Sequence, residues 1–333
     1  MSGLAEAPPL PFPRCEKCRE LLDEGDLFCP SCGHEAPLSG KNQEHEPAKR
    51  IEIDRIEVHR FECPGCGATL TWELEAQGLC CAFCGRTELE EREALSIPPP
   101  RWVIPFQIDQ ARASALFREW LGRGFYQPGD LRRASTVTEV RGVYLPYWSF
   151  SADCHFYWTA DSDATPQGAR SEWAPRFGEH ETWYEHLLVP ASGALTSYET
   201  GKLGEWDLTQ AAPWAPELVR DVPSEAFSVT RKRARPQALA QLEKMVRADS
   251  GPKIPGRRRN VKVNPLYTKI EAWPVLVPVW ILAYTYRTRS YRFLVNGQTG
   301  KIEGSAPVSL WRVLVVAGLV LLALVLLALL SGK

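Results

Sequence analysis

Apolar and polar positions change their pattern along the chain, and each pattern predicts a different kind of element. Near the C-terminus, 313–330 is an uninterrupted apolar run of 18 residues. As a helix it extends about 27 Å, close to the ~30 Å hydrocarbon core of a bilayer. With 310–312 added, the pattern predicts a transmembrane helix over 310–330, with Trp311 and Arg312 as interfacial anchors. From 137 to 304, short apolar-aromatic runs are broken by Pro and Gly, a mainly β pattern. Its clearest part is a meander over 283–303, with Asn296-Gly297 and Thr299-Gly300 as turn chemistry.

Two stretches of this region resemble each other: Pro146-Tyr-Trp148 and Pro278-Val-Trp280, each followed by an aromatic strand. They predict two related strand units in one sheet system. Helical spacing is confined to two places. Asp109 is a suitable N-cap for a helix to about Leu121, with Ala113, Leu116, Phe117 and Trp120 on one face. A second helix is predicted over 236–247, where Leu239, Leu242 and Val246 recur at helical intervals and Pro236 falls near the first turn.

The N-terminal part is organised by cysteine, and apolar and polar residues begin to alternate over 51–63, which suggests a strand leading into the third cysteine pair. Of ten cysteines, eight form C-x-x-C pairs: Cys15/Cys18, Cys29/Cys32, Cys63/Cys66 and Cys81/Cys84. Two intervening residues let one tight turn present two thiolates to a metal, and a loop of ten to twenty residues brings round the second pair. Gly33, Gly67 and Gly85 follow three of the pairs, where a knuckle turn asks for positive φ. The spacing therefore predicts two zinc ribbons, each a closed structural Zn²⁺ site with four sulfur ligands and no open catalytic position. Cys81 rather than Cys80 keeps the two-residue spacing to Cys84, and Cys154 reads as a small buried apolar residue.

The 333 residues carry a net charge of −1 and a mean hydropathy of −0.24, averages that conceal opposites. Residues 1–100 hold ten Lys and Arg against nineteen Asp and Glu, so the ribbons repel phosphate and a protein-facing role is favoured over nucleic acid. Residues 231–262 hold eleven basic residues against two acidic ones. Here Arg231, Lys232, Arg233, Arg235, Arg257, Arg258 and Arg259 are candidate contacts for anionic lipid or nucleic acid, beside the plain reading of a solvated basic loop.

Enzyme chemistry finds little footing. No Gly-Lys pair belongs to a P-loop, and His180-Glu181 with Glu185-His186 reads as exposed hairpin residues rather than a metal or acid–base site. We expect no catalytic residues and no enzyme. The domain reading is a disordered Pro-rich start (1–14), ribbon 1 (15–36), a linker (37–60), ribbon 2 (61–90), a Pro-rich linker (91–100), an α+β domain (101–306) and the transmembrane helix. The fold class expected is thus multidomain: two zinc ribbons, a β-rich α+β domain and one membrane helix.

The stretches FECPGCGATL, CAFCG, WVIPF with FREWL, VYLPYWSF, PVWILAYTYRTRSYRFLVNGQTGKIEG and SAPVSLW resemble a family of bacterial membrane-anchored zinc-ribbon proteins. Its members are often labelled TFIIB-type zinc ribbon or primosomal/replication helicase-like, and several are associated with phage-shock and SPFH membrane-stress genes. The resemblance implies a scaffold that recruits protein partners of the PspA, TPM or SPFH type at the cytoplasmic face of the membrane. The start of the chain lacks a basic and apolar leader, so the expected placement is single-pass in the cytoplasmic membrane, touching lipid, with the bulk in the cytoplasm. The alternative is a membrane-tethered nucleic-acid-binding protein that is not an active helicase.

Overall fold

A computed structural model describes residues 15–17, 22, 29, 34, 56–72, 80–97, 99–137, 140–164 and 171–331. Strands β1 (Ile56–Glu62), β2 (Thr69–Trp72) and β3 (Glu90–Ile97) surround the third and fourth Cys pairs. There follow β4 (Trp102–Val103), α1 (Gln110–Trp120), α2 (Leu131–Ala134), β5 (Ser135–Val137) and the long hairpin β6 (Arg141–Ser162)/β7 (Ala174–Pro190). Next come α3 (Ser197–Lys202), β8 (Ala212–Pro213), α4 (Pro216–Val219), β9 (Ser224–Glu225) and α5 (Arg231–Ser250). The chain closes with β10 (Arg258–Tyr286), β11 (Arg289–Asn296), β12 (Ile302–Gly304) and α6 (Leu310–Ser331).

Among the described residues all twelve strands belong to one mixed sheet, whose main path runs β12-β11-β10-β6-β9-β2-β1-β3. Its spine is the antiparallel pair β6/β10, which starts at Tyr144 opposite Pro278 and ends at Ser162 opposite Arg258. The two Pro-x-Trp stretches lie on these paired strands but offset from each other, Pro146 opposite Leu276 and Trp148 opposite Pro274, with Pro278 opposite Tyr144.

Two lobes flank the spine and share a set of local bonds. In one, the β6/β7 hairpin begins with Tyr147 opposite Pro190; in the other, β10/β11 begins with Val279 opposite Asn296. The next residue of the first hairpin, Ala191, donates its N–H to Pro146 O at 2.9 Å, and Gly297 donates to Pro278 O at 2.8 Å. The Ala191 carbonyl accepts from Ser228 and Val229 on the way into α5, and the Gly297 carbonyl accepts from Gln107 and Ile108 on the way into α1. The motif tryptophans lock the same joint, Trp148 Nε1 donating to Val229 O (2.8 Å) and Trp280 Nε1 to Ile108 O (2.7 Å). Phe227 rests on Trp148 and Phe106 on Trp280, at 5.1 and 4.7 Å between ring centres. Each helix is then capped alike, Thr230 Oγ1 accepting from Arg233 N and Asp109 Oδ1 from Arg112 N.

Each lobe buries its helix against its hairpin. Ala234, Ala238, Leu242 and Val246 of α5 pack with Phe150, Phe156 and Val189. Ala113, Phe117 and Leu121 pack with Tyr284 and Phe293. Helix α5 starts at Arg231, five residues ahead of Pro236, so the proline lies inside the helix rather than in its first turn.

This architecture corrects the expected fold class. The protein is mostly β-sheet, a single large mixed sheet rather than a row of modules, and among the described residues there is one four-cysteine cluster. The physical reason lies in the hydrogen bonding: β2 pairs with β9, and β9 with β6, so the second ribbon is stitched into the spine. Cys63, Leu70, Cys81 and Phe83 share a core with Val143, Leu145, Val275 and Val277. Apolar burial thus supports the ribbon together with its cysteines.

The membrane reading is corrected as well. The apolar run does form a helix, α6. Among the described residues no helix is long and apolar enough to cross a membrane, so the transmembrane, tail-anchored and cytoplasmic-membrane assignments are withdrawn. Of the two residues expected at a membrane interface, Arg312 donates to the Phe125 carbonyl at 3.0 Å, fastening the base of α6 to the loop after α1. Trp311 beside it is exposed.

Candidate metal centre

The Cys63-x-x-Cys66 and Cys81-x-x-Cys84 turns are built from the same bonds. Cys63 N donates to Ala68 O and Gly67 N to Cys63 O; Cys81 N donates to Arg86 O and Gly85 N to Cys81 O, all at 2.8–2.9 Å. Gly67 and Gly85 close the turns at φ of +72° and +79°, a conformation that costs glycine little. In each pair the first Cys is buried and the second exposed, so the cluster sits at the edge of the core.

The β1/β2 hairpin carries one turn at Glu62–Thr69, and β3, antiparallel to β1, brings the other alongside it. Cys63 and Cys84 stand 3.5 Å apart between sulfurs, Cys66 and Cys81 likewise, and all four Sγ atoms lie within 4.8 Å of one another. A tetrahedral ion with metal–sulfur bonds of about 2.3 Å separates its sulfurs by about 3.8 Å, so the cluster has the size and donor chemistry to hold one metal ion. Thiol electrostatics point the same way. The facing Cys81 thiol draws Cys66 down to about 5, while the same contact and burial push Cys81 upward, and burial pushes Cys84 up to about 11. Four sulfurs this close compete for protons, and a cation relieves that competition.

Of the first ribbon, Cys15 and Cys29 are described and buried around Leu22, whereas Cys18 and Cys32 lie outside the described residues. Cys29 N donates to His34 O at 2.6 Å, the same five-residue link that closes both turns of the second cluster. Cys80 stays outside the four-sulfur group, and Cys154 is buried in β6.

The basic residues singled out in the sequence are drawn into the fold. Arg257 bridges Asp163 and Glu172, and its guanidinium holds the Asp163 carboxyl below the usual range. Arg259 pairs with Asp161 at 3.4 Å, and Arg258 donates to Gly251 O at 2.8 Å. Arg231 is buried at the start of α5; it, Lys232 and Arg235 also make interactions within the protein. Arg233 is exposed on the first turn of that helix. The β6/β10 register sets Asp161 beside Arg259 and brings Asp163, just past the end of β6, to Arg257.

His180 and His186 do not come together. His180 Nε2 meets Lys253 Nζ at 2.6 Å, while His186 lines a cavity between the end of β7, α3 and α5. Sequence reasoning passed over Glu225, whose buried carboxylate accepts the Gly193 and Ala194 N–H groups at 2.7 and 2.8 Å. Burial raises its carboxyl above the ordinary value.

No family model and no solved structure matches the chain. Uncharacterized protein YdjG of Bacillus subtilis (strain 168) is 26% identical over 335 residues, covering 82% of this chain and 98% of that protein. Transcription factor S of Methanothermococcus thermolithotrophicus is 29% identical over 96 residues, 22% of this chain and 91% of that protein. The first likeness extends over most of the chain and the second over a short part of it.

Proposed function

We propose that the protein is a non-enzymatic zinc-ribbon scaffold that recruits protein partners. The observation carrying this reading is the four-sulfur cluster: a donor set that suits Zn²⁺, closed to substrate, and seated where it orders an edge of a large sheet. The repeated turn bond at Cys29 supports a second Zn²⁺ held by Cys15, Cys18, Cys29 and Cys32.

Strand β3 supplies the surface. It ends the main path of the sheet, pairing with β1. Glu88, Glu90, Glu91 and Glu93 crowd its start against Arg92 alone. An acidic strand edge suits an extended basic peptide added as a further strand. PspA-, TPM- or SPFH-type proteins are the partner classes that the family resemblance suggests.

Metal analysis of the purified chain tests the centre: two zinc ions per chain are expected, falling to one in Cys63→Ser and in Cys15→Ser. Hydrogen exchange should show β1 and β2 losing protection on chelation while β6 and β10 keep theirs. Crosslinked partners should be lost in Cys63→Ser; partners unchanged in a variant that has lost its metal would sink the scaffold reading.

A second reading, nucleic-acid binding, is favoured by the likeness to Transcription factor S. The internal ion pairs of Arg257 and Arg259 weigh against it. A salt-dependent shift of DNA by the purified chain, abolished by neutralising 257–259, would favour this reading over the first.

A further inference from the structure

The short strand β9 joins the ribbon to the spine, pairing with β2 on one side and β6 on the other. At that joint lies a cavity of about 300 Å³. The ribbon forms one wall through Ile56, Val58 and Arg60 of β1, and the spine forms another through Trp148 and Leu276. Trp214, just ahead of α4, closes a third side. The lining is mostly apolar. At the ~30 Å³ that a water-sized group occupies, the space holds about ten non-hydrogen atoms, the small end of ligand sites.

Strand register decides which charge this space meets. Alternate residues of a strand share a face, so Arg60 lies on the side of Ile56 and Val58. Arg60 stands opposite Thr71 and Thr71 opposite Ser224, one rung across β1, β2 and β9. Along that rung Thr71 Oγ1 donates to Ser224 O at 3.1 Å. Glu225 follows Ser224 and also borders the cavity, but alternation turns its carboxylate to the other face, onto the Gly193 and Ala194 N–H groups. Arg60 is therefore the charged group presented to the cavity among the described residues.

This guanidinium is held in place and only partly used. The β1/β3 register slips from Leu95 opposite Val58 to Arg92 opposite Arg60, which adds a residue to β3. The Glu93 carbonyl in that bulge accepts from Arg60 Nε at 3.0 Å. The carboxylates on neighbouring positions are engaged elsewhere, Glu62 and Glu90 with Arg92 and Glu91 with His59. Arg60 is half-buried, and its two terminal amino groups have no ion pair or hydrogen bond among the described residues. Such a fork matches a carboxylate, which can accept two parallel N–H bonds.

We propose that this cavity binds a small monocarboxylate with an apolar body, of the size of a straight-chain fatty acid with about eight carbons. The carboxylate takes the terminal amino groups of Arg60, and the apolar body reaches across to Trp148, Trp214 and Leu276. One guanidinium balances one negative charge, which favours a carboxylate over a phosphate dianion. The site lies apart from the sulfur cluster and does not rest on the scaffold reading.

Calorimetric titration of the full-length chain with octanoate, 1-octanol and octylammonium tests this. Octanoate is expected to saturate a single site about tenfold or more tightly than octanol, with no binding of octylammonium. Arg60→Gln should weaken octanoate about tenfold or more and leave octanol unchanged, and Arg60→Lys should recover part of the loss. Trp214→Ala should weaken octanoate and octanol alike. Metal content and melting temperature of each variant, measured without ligand, distinguish a lost site from a loosened ribbon. If Arg60→Gln melts well below the parent, octanoate against octylammonium on the parent chain decides alone. The assignment is overturned by the absence of saturable octanoate binding or by equal binding of octylammonium. It is overturned as well by an Arg60→Gln chain that melts like the parent and binds octanoate as tightly.

Discussion

The two lobes on either side of the β6/β10 spine are assembled from the same joint by different routes. The α5 lobe is contiguous: hairpin β6/β7 leads on through Ala191 and Val229 to the helix that covers it. The α1 lobe is closed by the two ends of the domain, since helix α1 precedes the hairpin β10/β11 that it covers by more than 150 residues. The bonds at the joint are matched to within 0.1 Å in both the turn link and the tryptophan link. A shared local geometry has therefore supported two different elaborations. The α5 lobe has the longer hairpin, with a bulge at Glu185–His186, whereas the α1 lobe fastens α6 to the loop after its helix.

Removing the motif tryptophans should have the largest effect on the two lobes. Trp148→Ala is expected to cost about 3–5 kcal/mol, the usual range for a buried aromatic. Trp280→Ala should cost less, because Trp280 is half-buried where Trp148 is buried. Urea unfolding of the pair gives the order, and a reversed order would mean that the α1 lobe carries the greater load.

Removing the helix caps should affect both lobes less and about equally. Asp109→Ala and Thr230→Ala should each cost about 1 kcal/mol. The two caps share no partner, so the double variant should be additive within about 0.5 kcal/mol. A larger deviation in the same unfolding measurement would show that the lobes unfold as coupled halves through the spine.

The smallest effect tests how the α5 lobe is tied to the ribbon. Glu225 lies on β9, opposite Leu70 of β2, and holds the Gly193–Ala194 turn. Its folded carboxyl titrates above the unfolded value of about 4.3, so the folded state holds the proton more tightly. Its contribution is greatest below that pH and declines as pH rises through the folded value. Glu225→Gln should remove this decline, leaving the urea midpoint the same or higher at pH 7 and nearly unchanged at pH 4. A variant less stable than the parent at pH 7 would show that the ionised carboxylate is needed on the turn N–H groups.

Much of the local structure was legible along the chain. The C-x-x-C spacing and its glycines identify Cys63, Cys66, Cys81 and Cys84 because two residues between ligands suffice to make each turn. Asp109 and its apolar face announce α1, and Asn296-Gly297 marks the end of β11. The likeness of Pro146-Tyr-Trp148 to Pro278-Val-Trp280 is also visible, though not that the two strands pair. The basic run 257–259 is misleading by itself, because Asp161, Asp163 and Glu172 are almost a hundred residues away along the chain. The apolar run at 313–330 likewise proclaims a membrane span, whereas the helix found at that place is not long and apolar enough, among its described residues, to make one.

The sequence by itself determined what short-range geometry can encode: the cysteine turns, the helix caps and the alternation of the meander. Only the tertiary structure decided that the second ribbon is part of the sheet, that its sulfurs converge, and that Arg60, Trp148 and Leu276 line one cavity. These depend on strand register and on the joining of β2 to β6 through β9. Such choices follow from how whole faces pack, and no local run of residues carries that information.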